Sequence, residues 1–201
     1  MGQVMKHIEF ETKYRVDKMT VESFVLHMKA YESDKDYKDT LIFQDIQDDY
    51  YVSGGEFIRH RYSERYGSNT LTWKKKLRGG DNIIRKEINA ELKDNNKEGI
   101  ENTKELIKGI GFKLDFTIHK PVVYIFEFES VYIPYYSVVN EDGEISRFIE
   151  IEIKEDKIHK FTEEEAWGLI RSWERRLSPL GISYRNRMNK SIFEIYSNDS
   201  I

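Results

Sequence analysis

Like charges recur at alternate positions along stretches that otherwise alternate apolar and polar residues, and no other feature constrains this chain more. In His7 to Val16, the residues Ile8, Phe10 and Thr12 fall on one face of an extended strand, and Glu9, Glu11 and Lys13 on the other. Arg59 and Arg61 share a face, as do Lys74 and Lys76. Arg85, Glu87, Asn89 and Glu91 follow one another along a further strand, and Glu150, Glu152 and Lys154 along another. Residues two apart on a strand stand ~7 Å from each other, so like charges there repel unless opposite charge lies between them. The wet face of a sheet explains any one such row. Five rows, each backed by an apolar face, point instead to charges lining an internal polar space. Paired carboxylates suit a divalent cation that prefers hard oxygen ligands, Mg²⁺ or Mn²⁺. Rows of Arg and Lys suit phosphate, which accepts bidentate Arg bonds and the point charge of Lys. Both sets in one space would hold a metal-bound polyphosphate.

The period of two dominates the chain. Besides the first strand, Leu41 to Val52, Phe57 to Arg65, Leu71 to Leu77, Ile83 to Leu92, Asp115 to Phe128, Val131 to Val139 and Ile145 to Lys154 read as strands. Turn chemistry separates them at Tyr66-Gly67-Ser68, Gly79-Gly80-Asp81-Asn82 and Asn140-Glu141-Asp142-Gly143. About eight strands in this order predict a mainly β (α+β) fold, an antiparallel meander closed into a barrel so that no edge is left open. Three segments switch to a helical period. Thr20 caps one that buries Val21, Phe24, Val25 and Met28. Asn102 with Glu105 reads as a capping box for a short helix with Leu106, Ile107 and Ile110, stopped at Gly109 to Gly111. Thr162 with Glu165 repeats that signature before Trp167, Ile170, Trp173 and Leu177, and Pro179 and Gly181 end the run. No long linker, internal repeat or low-complexity tract divides residues 1–201, which read as one domain.

Composition narrows the function classes. A net charge of −4 argues against general nucleic-acid or anionic-membrane binding. With no cysteine there is no disulfide, thiolate zinc site or Cys nucleophile. Met1 to Lys6 carries no apolar leader, and no apolar run approaches the ~20 residues of a spanning helix, so a soluble, cytoplasmic protein is expected. His7, His27, His60, His119 and His159 are scattered and match no zinc spacing. His60 points away from the Arg59 and Arg61 face, and Trp73, opposite the Lys74 face, reads as core. No glycine-rich phosphate loop is present.

The charged rows also resemble a family. His7-Ile-Glu-Phe-Glu-Thr-Lys13 is similar to the Glu-x-Glu-x-Lys opening of CYTH, or triphosphate tunnel, domains. These include class IV adenylyl cyclases, thiamine triphosphatases and inorganic triphosphatases. Asp48-Asp-Tyr-Tyr51, Phe57-Ile-Arg-His-Arg61, Leu71-Thr-Trp-Lys74 and Arg85-Lys-Glu-Ile-Asn-Ala-Glu91 resemble the family's next strands in order. Asn89 stands where a second Glu is usual. Gly111-Phe112 with Lys120, and Arg147-Phe-Ile-Glu-Ile-Glu152, resemble its last segments, and Ser191 sits in a tail like the terminal Ser-Tyr segment with Ile192 in place of the aromatic. The resemblance implies metal ligation by Glu9, Glu11, Glu150 and Glu152. It implies a phosphate grip by Lys13, Arg59, Arg61, Lys74, Lys76, Arg85 and Lys120, and Glu87 and Glu91 as further contributors to the metal; where not needed as ligands, Glu87 or Glu91 would orient the attacking water. Two positions depart from the family: Val122 stands where an Arg is usual, so Val122→Arg is expected to tighten binding, and Val131 to Val139 lacks an Asp, offering Tyr132, Tyr135, Tyr136 and Ser137.

The implied function is metal-dependent hydrolysis of inorganic triphosphate or of a nucleoside or organic triphosphate, with Mg²⁺ or Mn²⁺ as cofactor. The alternatives are cyclisation of ATP to cyclic AMP, sequestration of a nucleotide or polyphosphate without turnover, and processing of RNA 5′-triphosphate ends. The expected partner is a small triphosphate-containing molecule, with no membrane; the oligomeric state, including a homodimer, stays open.

Overall fold

The computed structural model describes residues 8–78 and 84–197, with side chains at all of these except 8, 9, 74–78 and 84–86. The turn at 79–82 therefore lies outside the described residues, as do the side chains of Glu9, Lys74, Lys76 and Arg85. Eight antiparallel strands close a barrel: β1 (Ile8–Arg15), β2 (Tyr37–Ser53), β3 (Glu56–Ser63), β4 (Ser68–Arg78), β5 (Ile84–Glu91), β6 (Lys113–Phe128), β7 (Val131–Val139) and β8 (Ile145–Ile153). Around the barrel the order is β1-β5-β4-β3-β2-β6-β7-β8. The single meander expected from the sequence is thus replaced by two, β2 to β5 and β6 to β8. They are joined along β2 and β6, with β1 closing the ring between β5 and β8. Hairpin turns announce which consecutive strands pair; pairings between distant strands leave no such local mark.

The long strands β2 and β6 share a kink. Asp45 has φ of 54°, and it falls opposite Pro121, between the pairs Gln44↔Val122 and Ile46↔Lys120. Proline has no N–H to give a ladder and is tolerated in sheets at such irregularities. Aspartate is one of the few residues that enter the left-handed region readily. The consequence is a change of face. Before the kink, Phe116, Ile118 and Lys120 point into the barrel; beyond it, Val123 and Ile125 do, while Phe126 and Phe128 turn outward.

Two apolar clusters follow. Outside the barrel, α1 (Val21–Lys29) and α4 (Glu163–Leu177) cover the outer faces of β1, β6, β7 and β8. Phe24, Met28, Ile170 and Trp173 are buried there against Phe128, Ile133 and Ile151. Each such side chain removed from water stabilises the fold by about 1.5–3 kcal/mol. Thr20 accepts the Ser23 amide at the start of α1, and the Thr162–Glu165 capping box opens α4, as the sequence predicts. The helix α2 corrects the sequence reading: it runs Lys97–Gly109 and is capped by Asn96, whose side chain accepts the Gly99 amide. Its buried stripe is Ile100, Thr103 and Ile107, while Leu106 and Ile110 are each 61% exposed. Trp73 is only half-buried and joins neither cluster. After a four-residue turn of helix, α3 (Glu155–Ile158), and α4, the chain is pinned back to β1. There Glu174 accepts Tyr14 Oη at 2.6 Å and both Arg187 Nε and Nη2 at 2.6 and 2.8 Å. This delivers α5 (Ile192–Tyr196) to one end of the barrel, where Phe193 stacks on Phe57 at 4.2 Å beside Tyr50 and Phe116. That second cluster floors the interior. Among the described residues no helix is long and apolar enough to cross a membrane.

Candidate functional site

Above the aromatic floor the barrel encloses a cavity of about 480 Å³. The strand order decides how charge is distributed around it. Arg59 and Arg61 come from β3, Asp48 from β2 and Lys120 from β6, three consecutive staves. Glu150 and Glu152 come from β8, Glu11 from β1 and Glu87 from β5, the three staves diametrically across an eight-stranded ring. A basic wall faces an acidic one.

On the basic wall Asp48 is fully buried and draws the cations together. Arg61 donates to it through Nε and Nη2 at 2.6 and 2.8 Å, and Lys120 Nζ at 2.8 Å. Burial alone would raise the Asp48 pKa; the charges of Arg61 and Lys120 and the Arg61 hydrogen bonds outweigh it and hold the carboxyl well below the usual range. Burial and the neighbouring Arg61 pull the Lys120 ammonium down to about 7, although Asp48 opposes them. Arg59 donates to Thr72 Oγ1 at 3.1 Å, and Thr72 in turn donates to Asn89 at 2.7 Å, a relay that orients the guanidinium. Its Nε is buried without a hydrogen-bond partner among the described residues. Asp48, with Glu87 4.0 Å from Arg59, sets two carboxylates against three cations, and the surplus positive charge and the left-over Arg59 donor suit an anion.

On the acidic wall Lys13 lies 2.8 Å from Glu150 and 3.7 Å from Glu11. Tyr136, from the intervening strand β7, donates to Glu150 at 2.6 Å while Lys120 sits over its ring at 4.7 Å, so it links the two walls. Burial first, then the Glu150 charge, push the Tyr136 hydroxyl well above its ordinary pKa and keep it a donor. Glu11 and Glu152 are cross-strand partners and both line the cavity. Like charges directly opposite on adjacent strands repel, and a divalent cation between them would relieve that. Among the described residues no three carboxylate or imidazole groups converge into a finished metal site. Two hard carboxylates supplemented by substrate oxygens nevertheless match the way Mg²⁺ is usually held, so the residues present fit the cation. Glu87 lines the cavity within 4.0 Å of Arg59.

Of the residues singled out in the sequence, Glu11, Lys13, Arg59, Arg61, Glu87, Lys120, Glu150 and Glu152 all meet in this cavity. Lys13 sits on the acidic wall. Glu91 is exposed and is not brought to the cavity, and Lys154 pairs with Glu127 over the Tyr132 ring instead of lining it. Val122 does not line the cavity either; the kink gives that place to Val123. Lys74 and Lys76 fall on β4 opposite Glu87 and Arg85, and Glu9 opposite Arg85, by backbone register. His60 points outward as expected, bonded to Asn69 at 2.7 Å. The sequence reading missed Asp48 and Tyr136 as site residues. The Asp-Asp-Tyr-Tyr run was a usable signal for the first, since a carboxylate alternating with aromatics on a central strand is expensive to bury without a cation partner.

No family model matches the sequence, and no curated protein matches it. Solved structures do. The PH1012 protein of Pyrococcus horikoshii OT3 is 22% identical, covering 94% of this chain and 99% of that one with a TM-score of 0.66. A Bacillus halodurans protein proposed to be an adenylate cyclase is 14% identical over 94% and 98%, at 0.55. The mimivirus capping enzyme triphosphatase is 14% identical over 88% and 89%, at 0.51. The fold is that of the CYTH, or triphosphate tunnel, family. Here α5 joins the lining of the cavity through Ile192 and Phe193.

Proposed function

We propose that this protein hydrolyses the terminal phosphoanhydride bond of a triphosphate with the help of a divalent cation. The observation that carries the reading is the pair of facing walls, three cations around one carboxylate opposite a bank of glutamates. Arg59, Arg61 and Lys120 bind phosphate oxygens, the unpartnered Arg59 Nε among the donors, and hold the chain in line. Glu11 and Glu152, with Glu9 and Glu150 by resemblance, hold Mg²⁺ or Mn²⁺. When bound, the cation supplies charge neutralisation on the phosphate oxygens. Glu87 orients a water and accepts its proton as the water oxygen bonds to the terminal phosphorus and the bridging oxygen departs with the diphosphate end. Lys74, Lys76 and Arg85 extend the phosphate grip by resemblance. The fold shared with the mimivirus capping enzyme triphosphatase supports a triphosphate as ligand. The test is a panel of tripolyphosphate, ATP, GTP and thiamine triphosphate with Mg²⁺ or Mn²⁺, resolving phosphate, pyrophosphate and cyclic nucleotide. Phosphate release that disappears in EDTA and in Glu11→Gln/Glu152→Gln, with the fold retained, is expected. Cyclic AMP as the main product from ATP, or full activity in EDTA, overturns the reading.

A further inference from the structure

The cavity is not charged throughout. Along β2 the inward residues run Tyr50, Asp48, Ile46, Phe43, and along β6 they run Phe116, Ile118, Lys120, Val123, Ile125. The Asp45–Pro121 kink divides each series: the floor and charged belt lie on one side, an apolar stretch on the other. Beside it, Pro134 of β7, the cross-strand partner of Ile125, and Tyr66 of the β3–β4 turn complete an apolar vestibule at the end away from α5. Phe43 and Tyr66 meet edge to face with ring centroids 5.7 Å apart, and Tyr66 remains 42% exposed.

A bare triphosphate carries charged oxygens along its whole length and gains nothing from such a lining. The full cavity, about 480 Å³, lies within the range of roughly 300–1,000 Å³ that encloses drug-sized ligands. From the juxtaposition of a phosphate-binding belt with an aromatic vestibule on the same kinked strands, we infer that the substrate is a triphosphate ester. Its planar aromatic group sits among Phe43, Tyr66, Val123, Ile125 and Pro134. The inference rests on the triphosphate reading above and narrows it: inorganic triphosphate fills only the charged half. A stacked ring is sequence-tolerant, because every aromatic heterocycle offers a π-face. The shared chemistry is therefore the flat ring joined to the phosphate chain, from a nucleoside or from a thiamine-like source.

Equilibrium binding by calorimetry in Ca²⁺, with tripolyphosphate, methyl triphosphate, ATP, GTP and thiamine triphosphate as probes, separates these possibilities. Methyl triphosphate matches the charge of the aromatic esters and lacks the ring. At least one aromatic ester should bind roughly tenfold or more tightly than methyl triphosphate. Which of ATP, GTP or thiamine triphosphate does so identifies the source of the ring. Tyr66→Ala, at an exposed turn, should erase most of that advantage and leave tripolyphosphate binding intact, and Tyr66→Phe should restore it. Equal affinity for methyl triphosphate and every aromatic ester overturns the inference alone. Loss of tripolyphosphate binding in Tyr66→Ala also overturns it, by making Tyr66 a structural residue. If neither tripolyphosphate nor any ester binds, the triphosphate reading fails and takes this inference with it.

Discussion

Replacing Asp48 with Asn tests the electrostatic logic of the basic wall directly. Asp48 is fully buried and receives two hydrogen bonds from Arg61 and one from Lys120. Asparagine keeps the shape but removes the charge, so Arg61 and Lys120 lose the carboxylate they share, and Glu87, 4.0 Å from Arg59, does not replace it. Removing one partner of a buried pair typically costs about 3–5 kcal/mol, because the remaining charge is stranded. The Arg61 side chain is 32% exposed, toward the cavity, so water there screens part of its charge. The lower end, about 3 kcal/mol, is the appropriate expectation. For a chain of this size about 1 kcal/mol moves the melting temperature by roughly 2–4 °C, so Asp48→Asn should melt about 6–12 °C lower.

The assay is thermal unfolding in phosphate-free buffer, followed by the same scan with saturating tripolyphosphate. An anion supplies the charge that the substitution removed, and it no longer competes with Asp48 for Arg61 and Lys120. Tripolyphosphate should therefore stabilise Asp48→Asn more than it stabilises the wild-type protein, narrowing the gap. An unchanged melting temperature would show that the three cations do not depend on Asp48. A lowered melting temperature that tripolyphosphate fails to narrow would show that the basic wall is not an anion site, and the functional reading would fall with it.

Lys120 sets a pH dependence: its folded pKa of about 7 lies below the ordinary lysine value of 10.5, so the folded state holds fewer protons than the unfolded chain between those values. Its contribution to stability is full above about 10.5 and is lost as pH falls through about 7, with a slope of at most about 1.4 kcal/mol per pH unit. Urea unfolding of the ligand-free protein from pH 6 to 9 should show wild type gaining on Lys120→Met, and parallel profiles would refute the shift. The kink makes a second prediction, since Val123 lines the cavity and Val122 does not. Val123→Arg should tighten tripolyphosphate binding by about 1.5–3 kcal/mol if a charge-assisted bond forms, while Val122→Arg leaves it unchanged by calorimetry; the reverse result would show that the strand keeps its alternation through Pro121.

The residues of the site were far more legible in the sequence than the geometry that joins them. Alternation is a local rule, and within an unbroken strand it placed Glu11, Arg59, Arg61, Glu150 and Glu152 on the inner face, where they are. It fails where a residue leaves the extended region, because a single such step reverses the facing of everything beyond it. Asp45 takes that step, and the sequence carried two hints of it: an aspartate, and a proline at 121 in the middle of an otherwise continuous strand. Read by spacing, Lys120-Pro121-Val122 looks like a phosphate motif that has lost its second cation. Read on the kinked strand, the inward positions are Val123 and Ile125, so beyond Pro121 this strand faces the cavity with apolar side chains. Asp48 was obscured for a different reason. Its role depends on Arg61 from the neighbouring strand and Lys120 from the strand on its other side, a contact between residues 72 positions apart that no local pattern encodes. The kink that carries Val122 off the inner face also turns Val123 and Ile125 toward the cavity, near Phe43 and Tyr66. On the proposed function, the departure from the resembled pattern at 122 would then change what the cavity recognises rather than weaken its grip.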